Sequence, residues 1–282
     1  MKIIEAVKEM QEYSDQARQK SKTIGFVPTM GYLHEGHLSL IKKAREECDI
    51  VVVSIFVNPT QFAPSEDLKQ YPRDFQKDKE LCEKEKADII FCPDEKEMYP
   101  KLQLTWVNIE KITNCLCGNS RPTHFKGVAT VCSKLFNIVK PHKSYFGQKD
   151  YQQSLVIRKM VLDLNFDLDI ITCPIIREKD GLAMSSRNKN LSEDERKQAL
   201  ILHRSLEKAK WLIAQGEKRP GSIKAEIQKM FREADLARLD YFEIRNANNL
   251  DELEIIEGKI LIAIAANFSN ARLIDNILID LE

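Results

Sequence analysis

Over roughly the first 175 positions, apolar residues fall into short, almost unbroken runs. Between the runs they recur every three or four residues. The runs cover residues 23–27, 50–57, 89–92, 105–109, 144–146 and 169–173, and their β-branched content predicts strands. Helical periodicity spans 5–20, 38–47, 74–86, 128–139 and 151–164. Strands apolar on both faces need cover on both sides, so this alternation predicts a parallel sheet between two layers of helices. In such sheets ligands settle beyond the carboxyl ends of the strands, where crossovers change direction.

The pattern changes after Asn190. Ser192-Glu193-Asp194-Glu195 reads as a capping box opening one long helix, with Leu202, Leu206, Ala209 and Ile213 as its apolar stripe. Gly216 is placed to end that helix and Pro220 to begin another. Strand patterns then follow at 239–244, 259–267 and 272–279, with Asn-rich turns between them. Helices followed by consecutive strands predict a small α+β domain. The boundary is expected between about 176 and 190, setting residues 1–180 apart from 181–282.

Composition narrows the class. The 282 residues carry 43 Lys+Arg and 43 Asp+Glu, a formal net charge of zero, which argues against a broad nucleic-acid surface. Seven cysteines, most of them in apolar runs, lack the paired spacing of a zinc site and read as buried reduced thiols of a cytosolic chain. The first residues carry no apolar signal core, and no apolar run is long enough to span a bilayer. The expectation is a soluble cytoplasmic protein with no membrane partner.

Chemistry concentrates at the predicted strand ends. His34 and His37 lie three apart in the turn after the strand at 23–27, where a helix begins. Backbone N–H groups and the helix dipole make such a turn a seat for phosphate, and residues three apart share a helix face. Gly147-Gln148-Lys149-Asp150 also ends a strand and opens a helix. Gly147 permits close backbone approach, Lys149 offers a mobile charge, and Asp150 suits a cap. Ser185, Ser186 and Arg187 supply donors for phosphate oxygens, although a polar interdomain loop explains them as well. Asn58 and Gln61 follow the strongest strand and suit a small polar substrate, or a simple Asn-Pro turn. His124 and Lys126 precede a helix and suit a carboxylate, or plain solvation. Together these clusters predict a nucleotide-binding enzyme acting on phosphate groups in a cleft above a parallel sheet.

In order along the chain, these five segments resemble the pantoate–β-alanine ligases, and Ala271-Arg272-Leu273-Ile274-Asp275-Asn276 resembles that family's ending. The resemblance implies a Rossmann-like domain of the nucleotidylyltransferase type followed by a smaller α+β lid. It implies that Met30, Gly31, Tyr32, Leu33, His34, Glu35, Gly36 and His37 hold ATP, with His37 as proton donor and His34 on the phosphates. Gly147, Gln148, Lys149, Asp150, Ile176, Met184, Ser185, Ser186 and Arg187 would complete the ATP site, with Lys149 among the catalytic groups. Gln61 and Gln153 would hold pantoate; His124 and Arg187 would meet the β-alanine carboxylate. Gln148, Ala63, Thr123 and Asn246 depart from the family's usual residues, and Thr123 stands where glycine is expected before His124.

The reaction so implied is adenylation of pantoate by ATP, then attack of the β-alanine amine. Mg²⁺ would ride on the triphosphate, with Asp78 as a conceivable extra ligand. A homodimer through the first domain is implied as well. A nucleotidylyltransferase would share the histidine turn but leave Gln61, Gln153 and the His124 segment unexplained. A non-catalytic nucleotide-binding module would not need five polar clusters, and a tRNA-charging enzyme would show a basic surplus.

Overall fold

The computed structural model describes residues 1–63, 68 and 71–281. In chain order the elements are β1 (Lys2–Ile4), α1 (Val7–Gln19), β2 (Ile24–Thr29), α2 (Glu35–Glu47), β3 (Ile50–Ile55), α3 (Phe75–Lys84), β4 (Ile89–Phe91), α4 (Glu95–Met98), α5 (Cys117–Ser120), α6 (His124–Val139), β5 (Lys143–Gly147), α7 (Tyr151–Asp163) and β6 (Asp169–Cys173). There follow α8 (Glu193–Gln198), α9 (Ile201–Ala214), α10 (Pro220–Arg232), β7 (Arg238–Asn246), β8 (Gly258–Asn267) and β9 (Arg272–Leu281). The chain forms two compact units, residues 1–148 with 152–174, and residues 175–282 with 149–151.

The first unit is a six-stranded sheet in the order β1-β4-β3-β2-β5-β6, parallel throughout. Alternate residues of its central strands feed two separate cores. Phe26, Val52, Ile89 and Phe91 pack with the α6 residues Val128, Leu135 and Phe136 on one face. Val27, Val51, Val53 and Ile90 pack with Leu38, Ile41 and Ala44 of α2 on the other. Each fully buried side chain of this size contributes roughly 1.5–3 kcal/mol, which is why the strands read as continuous apolar runs. From β2 the chain moves outward through β3 to β4, then returns to the other side of β2 as β5. The direction of winding therefore reverses between β2 and β5, the place where open α/β sheets form a ligand crevice.

The second unit has a three-stranded antiparallel sheet, β7-β8-β9. Ile260, Ile262, Ile264 and Ala266 of β8 cluster with Leu202, Leu206 and Ala209 of α9 and Ile223, Ile227 and Phe231 of α10. The capping box at Ser192 forms: Glu195 N–H donates to Ser192 Oγ at 3.3 Å, and Ser192 N–H to Glu195 Oε2 at 2.8 Å.

Three expectations need correction. Residues 105–109 form no strand; Val107 N–H donates to Thr130 Oγ1 at 3.0 Å, so a helix side chain, not a neighbouring strand, holds this segment. The long helix after Ser192 is two helices, α8 and α9, separated at Ala199 and Leu200. Helix α6 starts at His124 rather than at 128. All seven cysteines are free thiols. Among the described residues no helix is long and apolar enough to cross a membrane.

Candidate active site

The turn between β2 and α2 is built by an unusual backbone and a distant carboxylate. Gly31 and Tyr32 take positive φ values, +81° and +54°, so two successive residues lie in the left-handed region. A Cβ at Gly31 would lie 2.9 Å from Asp78 Oδ2, so glycine is required there by conformation and by space. Asp78, on α3 and 1% exposed, accepts the N–H groups of Tyr32 at 2.8 Å and Leu33 at 2.7 Å. Burial raises the Asp78 pKa, while these two bonds oppose the rise. Both carboxylate oxygens therefore hold the turn. Among the described residues no cluster of His, Cys, Asp or Glu could hold a metal ion.

The two histidines follow at once. His34 is not on the helix face but is the N-cap of α2, with extended φ and ψ of −141° and 174°. Its Nδ1 accepts Gly36 N–H at 3.2 Å, and His37 Nδ1 accepts the N–H of His34 at 3.3 Å. Two imidazoles thus perform the reciprocal capping that Ser and Glu usually perform. Their centroids lie 4.1 Å apart. An accepting Nδ1 places the ring proton of each neutral imidazole on Nε2. Two N–H donors therefore accompany the positive end of the α2 dipole.

The turn after β3 meets this loop. Gln61, 7% exposed, donates from Nε2 to Met30 Sδ at 3.0 Å and accepts from Asn58 Nδ2 at 3.1 Å. Asn58 Oδ1 in turn accepts from Tyr99 Oη at 2.8 Å. His124 Nδ1 lies 3.0 Å from the Gln61 carbonyl oxygen, which ties the start of α6 to the same turn. A Cβ on Gly127 would lie 2.3 Å from the Thr60 carbonyl oxygen, so only glycine lets α6 approach this closely. Thr123 sits at φ −95° and ψ −10°, a conformation open to any residue. The first unit thus joins Met30, Gln61 and His124, three of the expected site residues, with Asn58 as a linking group. Gln153 is half-buried on α7. Its neighbour Gln152 is the one that holds a loop, donating to the carbonyls of Ile112 at 2.9 Å and Cys115 at 2.8 Å. Gly147 and Gln148 stand at the end of β5, beside β2.

In the second unit Lys149 Nζ donates to the Met184 carbonyl at 3.0 Å, and Met184 N–H to the Ile176 carbonyl at 3.0 Å. Ser185 Oγ accepts Arg187 N–H at 3.2 Å and caps a short 3₁₀ turn, Ser186–Asn190. Lys149, Ile176, Met184 and Ser185 to Arg187 are thereby brought together, while Asp150 is exposed. Desolvation lowers the Lys149 pKa; Arg187 adds to the effect, and Asp150 and Asp275 oppose it. Sequence reasoning missed the part played by Arg177. Its guanidinium grips Asp275 through two bonds, at 2.6 and 2.9 Å. An Arg and an Asp 98 residues apart give no local sequence signal.

Comparison with known proteins identifies this framework. Residues 2–278 match the family described as pantoate–β-alanine ligase. The pantothenate synthetase of Thermotoga petrophila is 57% identical over 276 residues, covering 98% of this chain and 99% of the relative. The crystal structure of pantothenate synthetase from Thermus thermophilus superposes with a TM-score of 0.93 at 41% identity, covering 98% of this chain and 99% of that one. The pantoate–β-alanine ligase of Francisella tularensis, solved in complex with β,γ-ATP and β-alanine, gives a TM-score of 0.80 at 37% identity, covering 99% and 97%. This chain therefore belongs to the pantoate–β-alanine ligase family, with the nucleotidylyltransferase-type fold of its structural relatives.

Proposed function

We propose that the chain condenses (R)-pantoate with β-alanine at the expense of ATP, giving pantothenate, AMP and pyrophosphate. The observation that carries this reading is the family match over residues 2–278, a span that includes every candidate segment. The Francisella tularensis relative, which was solved with an ATP compound and β-alanine, supports both ligand classes.

In the first step a pantoate carboxylate oxygen attacks the α-phosphorus, the bond to the pyrophosphate oxygen breaks, and pantoyl adenylate forms. Negative charge grows on the departing pyrophosphate. Nε2–H donors of His34 and His37, the Lys149 ammonium, the Ser185 and Ser186 hydroxyls and the Arg187 guanidinium stabilise that charge more strongly than they do the bound substrate. Residues 30–37 together with Gly147, Gln148, Asp150, Ile176 and Met184 complete the ATP site. Gln61 and Gln153 orient pantoate. In the second step the neutral amine of β-alanine attacks the acyl carbon, the bond to AMP breaks and the amine gives up a proton. His124 and Arg187 hold the β-alanine carboxylate, and the chain acts chiefly by positioning.

Mg²⁺ enters as part of the ATP substrate. The donor set around the histidine turn fits that role, because Asp78 is committed to backbone N–H groups and a hard, hydrated ion is held well by phosphate oxygens. Residues 1–180 serve as the ATP- and pantoate-binding domain and residues 181–282 as a lid that brings the Met184, Ser185, Ser186 and Arg187 loop onto the phosphates, excluding water from the acyl adenylate. The working form is a cytoplasmic homodimer with small-molecule substrates, without nucleic-acid or membrane partners.

The test is a staged assay. Protein with ATP and Mg²⁺ should form pyrophosphate only when pantoate is added, and release AMP when β-alanine follows. Pyrophosphate formation independent of pantoate, or none at all, would refute the reading. Crystals grown with and without an ATP analogue check the lid; an unchanged interdomain angle and loop position would remove it.

A further inference from the structure

The Asp275-Asn276 pair near the C-terminus has no part in the chemistry above, yet both residues are almost fully buried, at 2% and 3% exposure. They lie side by side in β9 and reach both arms of the phosphate-binding segment of their own unit. Asn276 Nδ2 donates to the main-chain carbonyl of Lys149 at 2.9 Å. Asp275 accepts two bonds from Arg177, at 2.6 Å and 2.9 Å, and its Oδ1 also accepts the Asn276 N–H at 2.8 Å. Arg177 pairs with Ala183 across a short antiparallel bridge and donates to the Gly181 carbonyl at 3.0 Å. It thus holds the hairpin that delivers Met184 and Ser185. Lys149 Nζ closes the circuit by donating to the Met184 carbonyl at 3.0 Å.

The bonds form a ring: Asn276 to Lys149, Lys149 to Met184, Met184 through the hairpin to Arg177, Arg177 to Asp275, and Asp275 back to Asn276. Two of its links fix the Lys149 residue at opposite ends, its carbonyl by Asn276 and its ammonium by Met184. A lysine side chain has four rotatable bonds and is a poorly directed donor unless both ends are held. We propose that Asn276 is a positioning residue for adenylation: by anchoring the Lys149 carbonyl to β9, beside the Asp275–Arg177 clamp, it sets where the ammonium stands relative to Ser185 and Arg187. This rests on the reading that Lys149 acts on the triphosphate. Misplacing a catalytic group by about 1 Å can cost on the order of 10²-fold in rate, so a β9 side chain that touches no substrate can still govern turnover.

The test is a double-mutant cycle on the full-length protein, followed by pantoate-dependent pyrophosphate formation. Asn276→Asp keeps the size and one oxygen of the side chain but replaces the donating NH₂ with an oxygen that repels the Lys149 carbonyl. It should lower kcat for adenylation by at least about 10-fold, with the KM for β-alanine unchanged. In a Lys149→Met background the same substitution should change the rate less than about 2-fold, because the group it positions is gone. A change in cooperative melting alone would not produce that dependence on Lys149. If N276D does not fold, Asn276→Ala removes the same donor without adding charge and takes its place in the cycle. Equal effects of N276D in both backgrounds, or no effect in the parent, would overturn the proposal. If Lys149→Met alone left adenylation intact, the placement of Lys149 on the triphosphate would be what fails, and the proposal would fall with it.

Discussion

Replacing Asp78 by asparagine tests how the histidine turn is held. The carboxylate accepts two backbone N–H groups, from Tyr32 at 2.8 Å and Leu33 at 2.7 Å, in a buried place. An amide offers a single accepting oxygen, so one N–H would lose its partner and face an NH₂ group. An unsatisfied buried donor costs about 1–3 kcal/mol. The turn also holds Tyr32 at φ +54°, and the left-handed conformation costs a residue with a Cβ about 1–2 kcal/mol. The bond that is lost and the strain it restrains are therefore comparable, and the turn would relax. A neutral amide recovers some of the desolvation that raises the Asp78 pKa, so the net loss should be about 2 kcal/mol, a fall in Tm of roughly 4–8 °C. His34 directly follows Leu33, so adenylation should fall on the order of 10²-fold. Calorimetry and pantoate-dependent pyrophosphate release measure the two effects. Parental Tm and rate in both Asp78→Asn and Asp78→Ala would refute the reasoning. Rescue by excess Mg²⁺ would show that Asp78 binds the cation instead.

Other consequences can be checked in the same assays. His37→Ala should lower adenylation by about 10²–10³-fold, and a His34→Ser, His37→Glu double variant should keep the parental Tm while losing that activity; retained activity in either removes the imidazoles from the mechanism. Gly127→Ala should force apart the α6 start and the Thr60 carbonyl, 2.3 Å from the new Cβ, costing about 1–3 kcal/mol and raising the KM for pantoate more than that for ATP. Bonds from the Ser269 side chain and from the Ser192 and Ser269 backbones draw the Glu195 pKa from 4.5 down to about 2. Because the folded value is the depressed one, Glu195 stabilises fully above pH 4.5, and that contribution disappears as the pH falls toward about 2. Glu195→Gln should flatten the dependence of Tm on pH across that window; an unchanged slope would show that the carboxylate contributes nothing there.

The sheet was legible in the sequence because β2, β3 and β4 are largely buried on both faces, so only Thr29 and Ser54 interrupt their apolar runs. Residues 105–109 have the same β-branched character but, among the described residues, no strand to pair with, and pairing is a property of the partner as much as of the segment. The break between α8 and α9 leaves no mark, since Ala199 and Leu200 are good helix formers. Spacing alone revealed that His34 and His37 are close. It could not reveal that His34 lies outside the helix and caps it, which depends on φ and ψ. Asp78 and Asn276 were harder still, because their partners lie 46 and 127 residues away and each bond ends on a backbone atom whose identity no side chain advertises.

The paired imidazoles at the start of α2 narrow the chemical alphabet allowed there. An ionised glutamate in this role only accepts, and a serine must accept and donate through one and the same oxygen. Asparagine carries an acceptor and a donor on one carbon and turns them the same way. A flat five-membered ring closes the helix with one nitrogen and carries its N–H on another that points elsewhere. On the reading proposed above, folding draws on the Nδ1 atoms and turnover on the Nε2 atoms of the same two rings, so a substitution that satisfies the fold is no guarantee of a working enzyme.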